Sequence, residues 1–280
     1  MTGRYAPSPT GPLHLGNLRT ALLAWLFARS AGSRFLLRVE DLDTGRVRAE
    51  HEAGQIADLR ALGIDWDGDV VRQSERGALY TAALERLDTY PCYCTRAEIR
   101  EAASAPHGKL PEGAYPGTCR TLSEDERGDL ERAGRPPALR VRAGDGVDDF
   151  VVRRNDGAFA YNLAVVVDDA DQGIEEVVRG ADLLETTPRQ TWLGRRLGLP
   201  VPEYVHVPLV VGPDGSRLAK RHGAVTLADR AALGEDATTV RAMLAASLGL
   251  ASPGERPAPD ELVERFDPGA LPTEPWTLAP

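Results

Sequence analysis

Lysine is nearly missing from this chain: of its 33 basic residues only Lys109 and Lys220 carry an ammonium, and arginine serves everywhere else. A compact ammonium is not interchangeable with a guanidinium at a phosphate, so a lysine in a loop here is a candidate functional position. Cysteine is scarce as well. Cys92, Cys94 and Cys119 are the whole complement, an odd number in one short window, which excludes a disulfide framework and suits a reducing cytoplasm. Long apolar runs are absent. ALLAWLFA near the start lies between Arg19 and Arg29, well short of the roughly 20 residues of a membrane span. Pro7, Pro9 and Pro12 stand where an export segment would need apolar residues, so none is expected. An excess of positive charge is missing too. At a net charge of -9 the chain is not expected to wrap nucleic acid through a broad basic face, although a folded RNA gripped by a local patch stays open.

Hydrophobic residues make up 42% of the 280 positions, enough for the core of one large or two small domains. Residues 3–6 (GRYA) read as a short strand, 16–30 as a helix, and 34–40 (RFLLRVE) as a second strand. In the helix Leu18, Leu22 and Leu26 recur every fourth residue with Ala21 and Trp25 beside them, so one apolar stripe faces a sheet. This βαβ unit predicts an α/β fold with an open parallel sheet and ligands at the carboxyl ends of its strands, at Pro7-Ser8 and Glu40-Asp41. Helices are expected over 46–62, ending at Gly63, and over 75–89. Pro91 to Val147 carries every cysteine with little long periodicity and reads as an inserted subdomain. FVVRRNDGAFAYNLAVVVDDADQGIEEVVRG then reads as a hairpin turning at Asn155-Asp156-Gly157, a helix, and a buried strand that returns to the main sheet. After His222 only short helices, 226–233 and 238–248, and a proline-rich tail are expected. The chain thus divides into 1–90, 91–147, 148–222 and 223–280.

RYAPSPTGPLHLGNLRTAL joins the first strand to the first helix. A helix opening at HLGN directs free N–H groups and its positive dipole end over the strand tips, which favours phosphate. Gly11 and Gly16 allow close backbone approach, and His14 adds a donor for a phosphoryl oxygen. A capping histidine fits the same few letters, so the wider context decides.

That context resembles the class I aminoacyl-tRNA synthetases, specifically their glutamyl and glutaminyl branch. The resemblance implies a Rossmann-type catalytic core with an inserted subdomain and a short C-terminal helical segment. HLGN stands at the place of the family's HIGH motif, so that His14, Gly16 and Asn17 border ATP, with Asn17 replacing the final histidine. PDGSRLAKRHGA is similar to the family's KMSKS loop. Arg217 there replaces the first lysine and Ala219 the middle serine, while Lys220 becomes the ammonium that stabilises the leaving pyrophosphate. Without the family, a solvated basic loop is the plain reading.

Glutamate carries two carboxylates and an ammonium, so its pocket needs cations and an anion. The resemblance implies that Arg4, Tyr5, Ala6, Pro7 and Ser8 at the first strand end line that pocket, that Glu40 meets the α-ammonium, and that Tyr161 and Arg179 complete the set. Val165 stands where many relatives have asparagine. Arg4 and Arg179 are expected to hold the side-chain carboxylate; singly, each would read as an ion pair, and Tyr161 as a core aromatic. The implied reaction is attack of the glutamate carboxylate on the α-phosphorus of ATP, bound with Mg2+, giving glutamyl-adenylate and pyrophosphate.

Three thiolates in PCYCTRAEIR and GAYPGTCR suggest one structural zinc per chain, which takes four tetrahedral ligands; three free buried thiols are the alternative. By chemistry the default fourth ligand is His107, since three cysteines with a histidine is a common set. The short glutamyl relatives place a tyrosine four positions before the last cysteine, which implies Tyr115 alongside Cys92, Cys94 and Cys119. Full-length glutamyl enzymes continue into an anticodon-reading helical domain, for which the residues after the late loop leave no room. The resemblance therefore implies the truncated relatives, which activate glutamate without tRNA and attach it to queuosine at the wobble position of tRNA(Asp). A cytoplasmic monomer is expected. Two alternatives stay open: a truncated enzyme charging the 3′ end of tRNA(Glu), and a catalytically silent RNA-binding paralog.

Overall fold

The structure, a computed structural model, describes residues 1–103, 114–144 and 146–278, with the backbone alone at Arg100, Ala102, Ala103 and Lys220. Its strands are β1 (Thr2–Tyr5), β2 (Arg34–Val39), β3 (Val71–Arg72), β4 (Thr89–Cys92), β5 (Ala138–Val141), β6 (Val151–Arg153), β7 (Glu176–Gly180), β8 (Glu203–Val207), β9 (Val210–Val211) and β10 (Trp276–Thr277). Its α-helices are α1 (Leu15–Ser30), α2 (Ala49–Ala61), α3 (Gly77–Leu84), α4 (Arg96–Ala103), α5 (Glu124–Arg132), α6 (Tyr161–Asp171), α7 (Thr187–Arg196), α8 (Leu227–Ala232), α9 (Ala237–Ala246) and α10 (Pro259–Arg265). They fall into two compact units, one of residues 1–75, 173–185 and 202–280, the other of residues 76–172 and 186–201.

In the first unit the chain builds a parallel sheet of order β3-β2-β1-β7-β8. It runs outward from β1 to β3 and restarts on the far side of β1 with β7. The order therefore reverses between β1 and β7, and in open α/β sheets ligands lie beyond the carboxyl ends at such a point. The α/β class and the βαβ unit expected from the first forty residues are present.

Side chains alternate across a strand, and the pairing register sorts them into two faces. Tyr5, Phe35, Leu37, Val178 and Val207 belong to one large apolar cluster with α1. A Cβ on Gly3 would lie 3.3 Å from the Ala28 side chain, so the helix sits close against this face. Far from burying one stripe, α1 is buried nearly all round, from Leu15 through Ala28 and including Arg19. Its far side meets Val240, Leu244, Leu262 and Phe266, and the Phe27 and Phe266 rings meet edge to face at 5.1 Å. Arg19 directs Nη1 to Pro208 O at 2.9 Å and Nε to Ser247 Oγ at 3.0 Å, which satisfies a guanidinium that burial would otherwise penalise.

The cover on α1 comes from the C-terminal segment. The expected proline-rich tail forms α10, then pairs β10 in parallel with β9, and Leu262 and Leu278 are buried. The helix expected over 75–89 is shorter, only Gly77–Leu84. Pro91 disfavours helical backbone at Tyr90, and Thr89–Cys92 is drawn instead into an antiparallel sheet of order β4-β5-β6.

That sheet belongs to the second unit, where Gly157 adopts φ +87° in the turn between β6 and Phe159, as the Asn-Asp-Gly sequence requires. Helix α6 packs on α3 and α7. Its buried Asp168 accepts hydrogen bonds from Arg76 Nε at 2.6 Å and Tyr80 Oη at 2.8 Å. Among the described residues no helix is long and apolar enough to cross a membrane.

Candidate functional site

Beyond Tyr5 the chain leaves β1 as a loop pinned by backbone and side chain. Glu40 N donates to Pro7 O at 2.9 Å and Arg48 N to Pro9 O at 3.1 Å, while the buried Gln55 on α2 gives Nε2 to Ser8 O at 3.0 Å and Gly11 O at 2.7 Å. Ser8 is exposed and Ala6 half-buried at this edge. Tyr5 Oη donates to Asn17 O at 3.3 Å; burial and the Glu40 charge hold this phenol protonated far above neutral pH.

His14 is the N-cap of α1. Its Nδ1 accepts from Asn17 N at 3.2 Å and Asn17 Oδ1 accepts from His14 N at 3.2 Å, a reciprocal capping box. The capping role that the sequence left open is thus real, and it does chemical work as well. With Nδ1 occupied as an acceptor, the neutral ring carries its proton on Nε2. Burial first, then the Arg217 charge, lower the His14 pKa against a smaller opposing effect of Asp182, so the ring is a neutral N–H donor at pH 7.

The late loop closes onto this turn within the same unit. Leu15 N donates to Val225 O at 2.7 Å and His14 bridges Thr226 in antiparallel fashion. Upstream, Val211 bridges Arg217 around a turn in which Gly215 has φ +72°. His222 holds the loop from inside: its Nδ1 accepts from Ala219 N at 3.0 Å and its Nε2 faces Asp214 at 3.3 Å. A Cβ on Gly212 would meet that ring at 2.7 Å. Leu218 is buried in the core, and Arg217 Nη2 lies 2.7 Å from Asp182 Oδ2. The backbone of Lys220 opens a 3-10 turn; its side chain lies outside the described residues.

The sheet face opposite α1 carries arginine. Arg4 on β1, Arg38 on β2 and Arg179 on β7 are all buried, and the register puts them on the same side of three adjacent strands. Arg179 gives Nε to His206 Nε2 at 3.3 Å and Nη2 to Leu183 O at 3.3 Å, with its guanidinium 4.5 Å from the Tyr204 ring centroid. Burial, then the Arg179 charge, lower the His206 pKa, which keeps it an acceptor. Glu40 is the anion of this face, 3.8 Å from Arg38 Nη2. Sequence reasoning passed over Arg38, although its place between Leu36 and Glu40 in an apolar strand was a usable signal. It also passed over Asp182, two residues past the returning strand, and His222, inside the quoted PDGSRLAKRHGA.

In the second unit the Cys92, Cys94 and Cys119 sulfurs lie within 4.8 Å of one another. Four tetrahedral bonds of about 2.3 Å set sulfurs about 3.8 Å apart, so this group can hold a metal ion with small adjustments. Tyr115 Oη is 3.5 Å from Cys92 Sγ and 4.0 Å from Cys94 Sγ, and accepts from Cys119 N at 2.7 Å. His107 lies outside the described residues. Burial by itself would raise the Cys92 thiol, but Tyr115 and Arg140 draw it below its ordinary value; Cys94, half-buried and beside two other sulfurs, is pushed up to about 12.

Tyr161 opens α6 in this same unit, and Val165 is buried one turn later. Tyr161 lines a cavity of about 620 Å³ together with Tyr115, Arg140, Asp148, Asn162 and Arg189. The first unit therefore brings together Arg4, Tyr5, Glu40, His14, Gly16, Asn17 and the late loop, with Arg179 on the same sheet, while the cysteine cluster and Tyr161 belong to the second.

Comparison with known proteins agrees with this arrangement. Residues 1–146 and 143–255 match the family model described as tRNA synthetases class I (E and Q), catalytic domain. The chain is similar to a protein of Nocardia farcinica named glutamyl-Q tRNA(Asp) synthetase, at 60% identity over 99% of this chain and 92% of that protein. A protein of the same name from Symbiobacterium thermophilum is 51% identical over 98% and 95%. Among solved structures, a glutamate tRNA ligase from Elizabethkingia meningosepticum in complex with its amino acid superposes with a TM-score of 0.83 at 26% identity, covering 100% of this chain and 67% of that one. The parallel sheet with its clasped loops and the match along most of the sequence lead to one assignment: the chain belongs to the class I tRNA synthetases of the E and Q branch, a family of ligases.

Proposed function

We propose that this chain activates L-glutamate with ATP, without tRNA, and then transfers the glutamyl group to queuosine at the wobble position of tRNA(Asp). The clasp between the HLGN turn and the late loop carries the first half of this reading, because it joins a neutral imidazole donor and a loop bearing the rare lysine at the carboxyl end of a parallel sheet. The choice of acceptor is supported by the name of relatives 60% and 51% identical to the chain.

A carboxylate oxygen of glutamate attacks the α-phosphorus of ATP, the bond to the β-phosphate breaks, and pyrophosphate leaves. ATP enters as its magnesium complex, a substrate in that form. His14 Nε2–H donates to a phosphoryl oxygen as negative charge gathers there, a role that needs the neutral ring. The N-terminus of α1, with Gly16 and Asn17 in its first turn, accepts the phosphates. Lys220 stabilises the leaving pyrophosphate. Arg4 and Arg179 receive the side-chain carboxylate on the arginine face, Glu40 the α-ammonium, and Tyr5, Ala6, Pro7 and Ser8 form the wall at the strand end. Tyr161 is a further glutamate contact, read from the resemblance alone. A hydroxyl of the queuosine base then attacks the acyl carbon of the adenylate and AMP departs. One zinc, held by Cys92, Cys94, Cys119 and Tyr115, supplies no step; bound, it would tie β4 to the segment around Cys119.

Glutamate-dependent exchange of label between pyrophosphate and ATP tests the activation step. It should proceed without any tRNA, and its absence removes the synthetase reading in favour of a silent RNA-binding paralog. Charging should then require tRNA(Asp) that carries queuosine; acceptance of tRNA(Glu) at its 3′ end instead would overturn the acceptor. Lys220→Ala should lower exchange about 10²- to 10³-fold with little change in glutamate binding.

A further inference from the structure

The cysteine cluster has a charged neighbour from the strand beside it. In the antiparallel pairing of β4 with β5, Arg140 stands opposite Tyr90 and Ala138 opposite Cys92. Residues two apart share a face, so the Arg140 side chain lies diagonally across from Cys92. It is 7% exposed and fixed from three directions. Nε donates to Cys92 Sγ at 3.2 Å and Nη1 to Asp149 O at 2.8 Å, and the guanidinium carbon sits 3.7 Å from the Tyr115 ring centroid. Among the described residues it thus touches two members of the proposed donor set.

A guanidinium buried this deeply is unfavourable unless negative charge meets it. The Asp149 carboxylate is occupied elsewhere, accepting from Tyr90 Oη at 2.6 Å, Ala143 N at 2.8 Å and Arg120 Nη1 at 3.1 Å. What Arg140 does face is sulfur. Three thiolates around a divalent ion leave the centre anionic, and a buried anion in turn needs a cation. Each group removes the burial penalty of the other. The stacked ring adds direction, since a guanidinium over a tyrosine holds the ring plane and with it the position of the oxygen.

We propose that Arg140 is the cation that completes this metal centre from outside: its guanidinium, set against Cys92 and over Tyr115, offsets the thiolate charge and holds the tyrosine in the fourth ligand position. The inference rests on the zinc reading above. Arg140 is a positioning residue for the metal and has no part in the activation step, so metal affinity is the readout.

Zinc affinity of the full chain, measured by competition with a chromogenic chelator, and the thiolate-to-metal absorption of the cobalt(II) form should be compared for wild type, Arg140→Lys, Arg140→Met and Arg142→Met. Partners around a metal site are worth roughly 10- to 100-fold in affinity. Arg140→Met should lose about 100-fold and Arg140→Lys, which keeps the charge but not the fork, about 10-fold, with a shifted cobalt band in both. Arg142→Met is the control, because Arg142, one residue past the end of β5, lies over the Tyr90 ring at 4.6 Å and should bind as wild type does. Equal losses for lysine and methionine would mean packing alone and overturn the proposal, as would wild-type affinity in either. Should the methionine chain not fold, wild-type affinity in Arg140→Lys still overturns it. A wild-type chain that takes up no zinc removes the metal reading and this inference together; a wild type that binds, with variants that bind equally, removes this inference alone.

Discussion

Gly16 has no side chain, and a Cβ added there would lie 2.9 Å from Cε1 and Nδ1 of His14. The imidazole rests where that methyl would be, which aims the ring and leaves Nδ1 to the cap. Gly16→Ala should therefore displace His14 with little loss of stability, since alanine favours the helix. Pyrophosphate exchange should fall at least tenfold with unchanged helix content; full exchange in that variant would falsify the role given to the ring. His14 was legible in the sequence as a residue of interest because its turn has a recognisable spacing. Its tautomer was not, because that depends on which atom of Asn17 meets which ring nitrogen. Arg179 was legible through the motif around it, whereas Arg38 became visible only when the register of three strands put it beside Arg4.

At the scale of elements, local pattern and tertiary demand disagree in two places. The stretch after Gly77 has a helical pattern that would run on past Leu84, but β5 offers Thr89–Cys92 a pairing partner and Pro91 opposes the helix, so the strand wins. The last residues look like an open tail. They instead pair β10 with β9 and place Leu278 in the core, directly beyond the strand that leads into the late loop. Leu278→Ala should cost about 2 kcal/mol of stability, the low end for a buried leucine, and should loosen the β9 hairpin. Hydrogen exchange at Val210 and Val211 would report this. Unaltered protection there, with an unaltered melting temperature, would show that the pairing does not support the loop.

Over the whole molecule, Asp58 makes stability depend on pH in a direction unusual for a carboxyl. Burial pushes Asp58 on α2 up to about 6, against about 4 in an unfolded chain. Between these values the folded state holds the proton more tightly, so the favourable contribution is present at about pH 4 and is lost as pH rises through 6. Asp58→Asn should accordingly raise the melting temperature more at pH 8 than at pH 5. A gain of the same size at both would place its cause outside ionisation.

The covalent sequence by itself determined the α/β class, the parallel start of the sheet, the helix that opens at HLGN, and the clustering of the three cysteines. Each rests on spacing along a few dozen neighbouring residues, where backbone geometry makes period and position readable. Tertiary structure alone decided that Val225 and Thr226 clasp the first helix, that three arginines share one sheet face, and that Arg140 lies against Cys92. Those pairs are far apart in the chain, and nothing local selects them. They meet because a parallel sheet fixes register between distant strands, and because burying α1 on every side brings the C-terminal segment back across it.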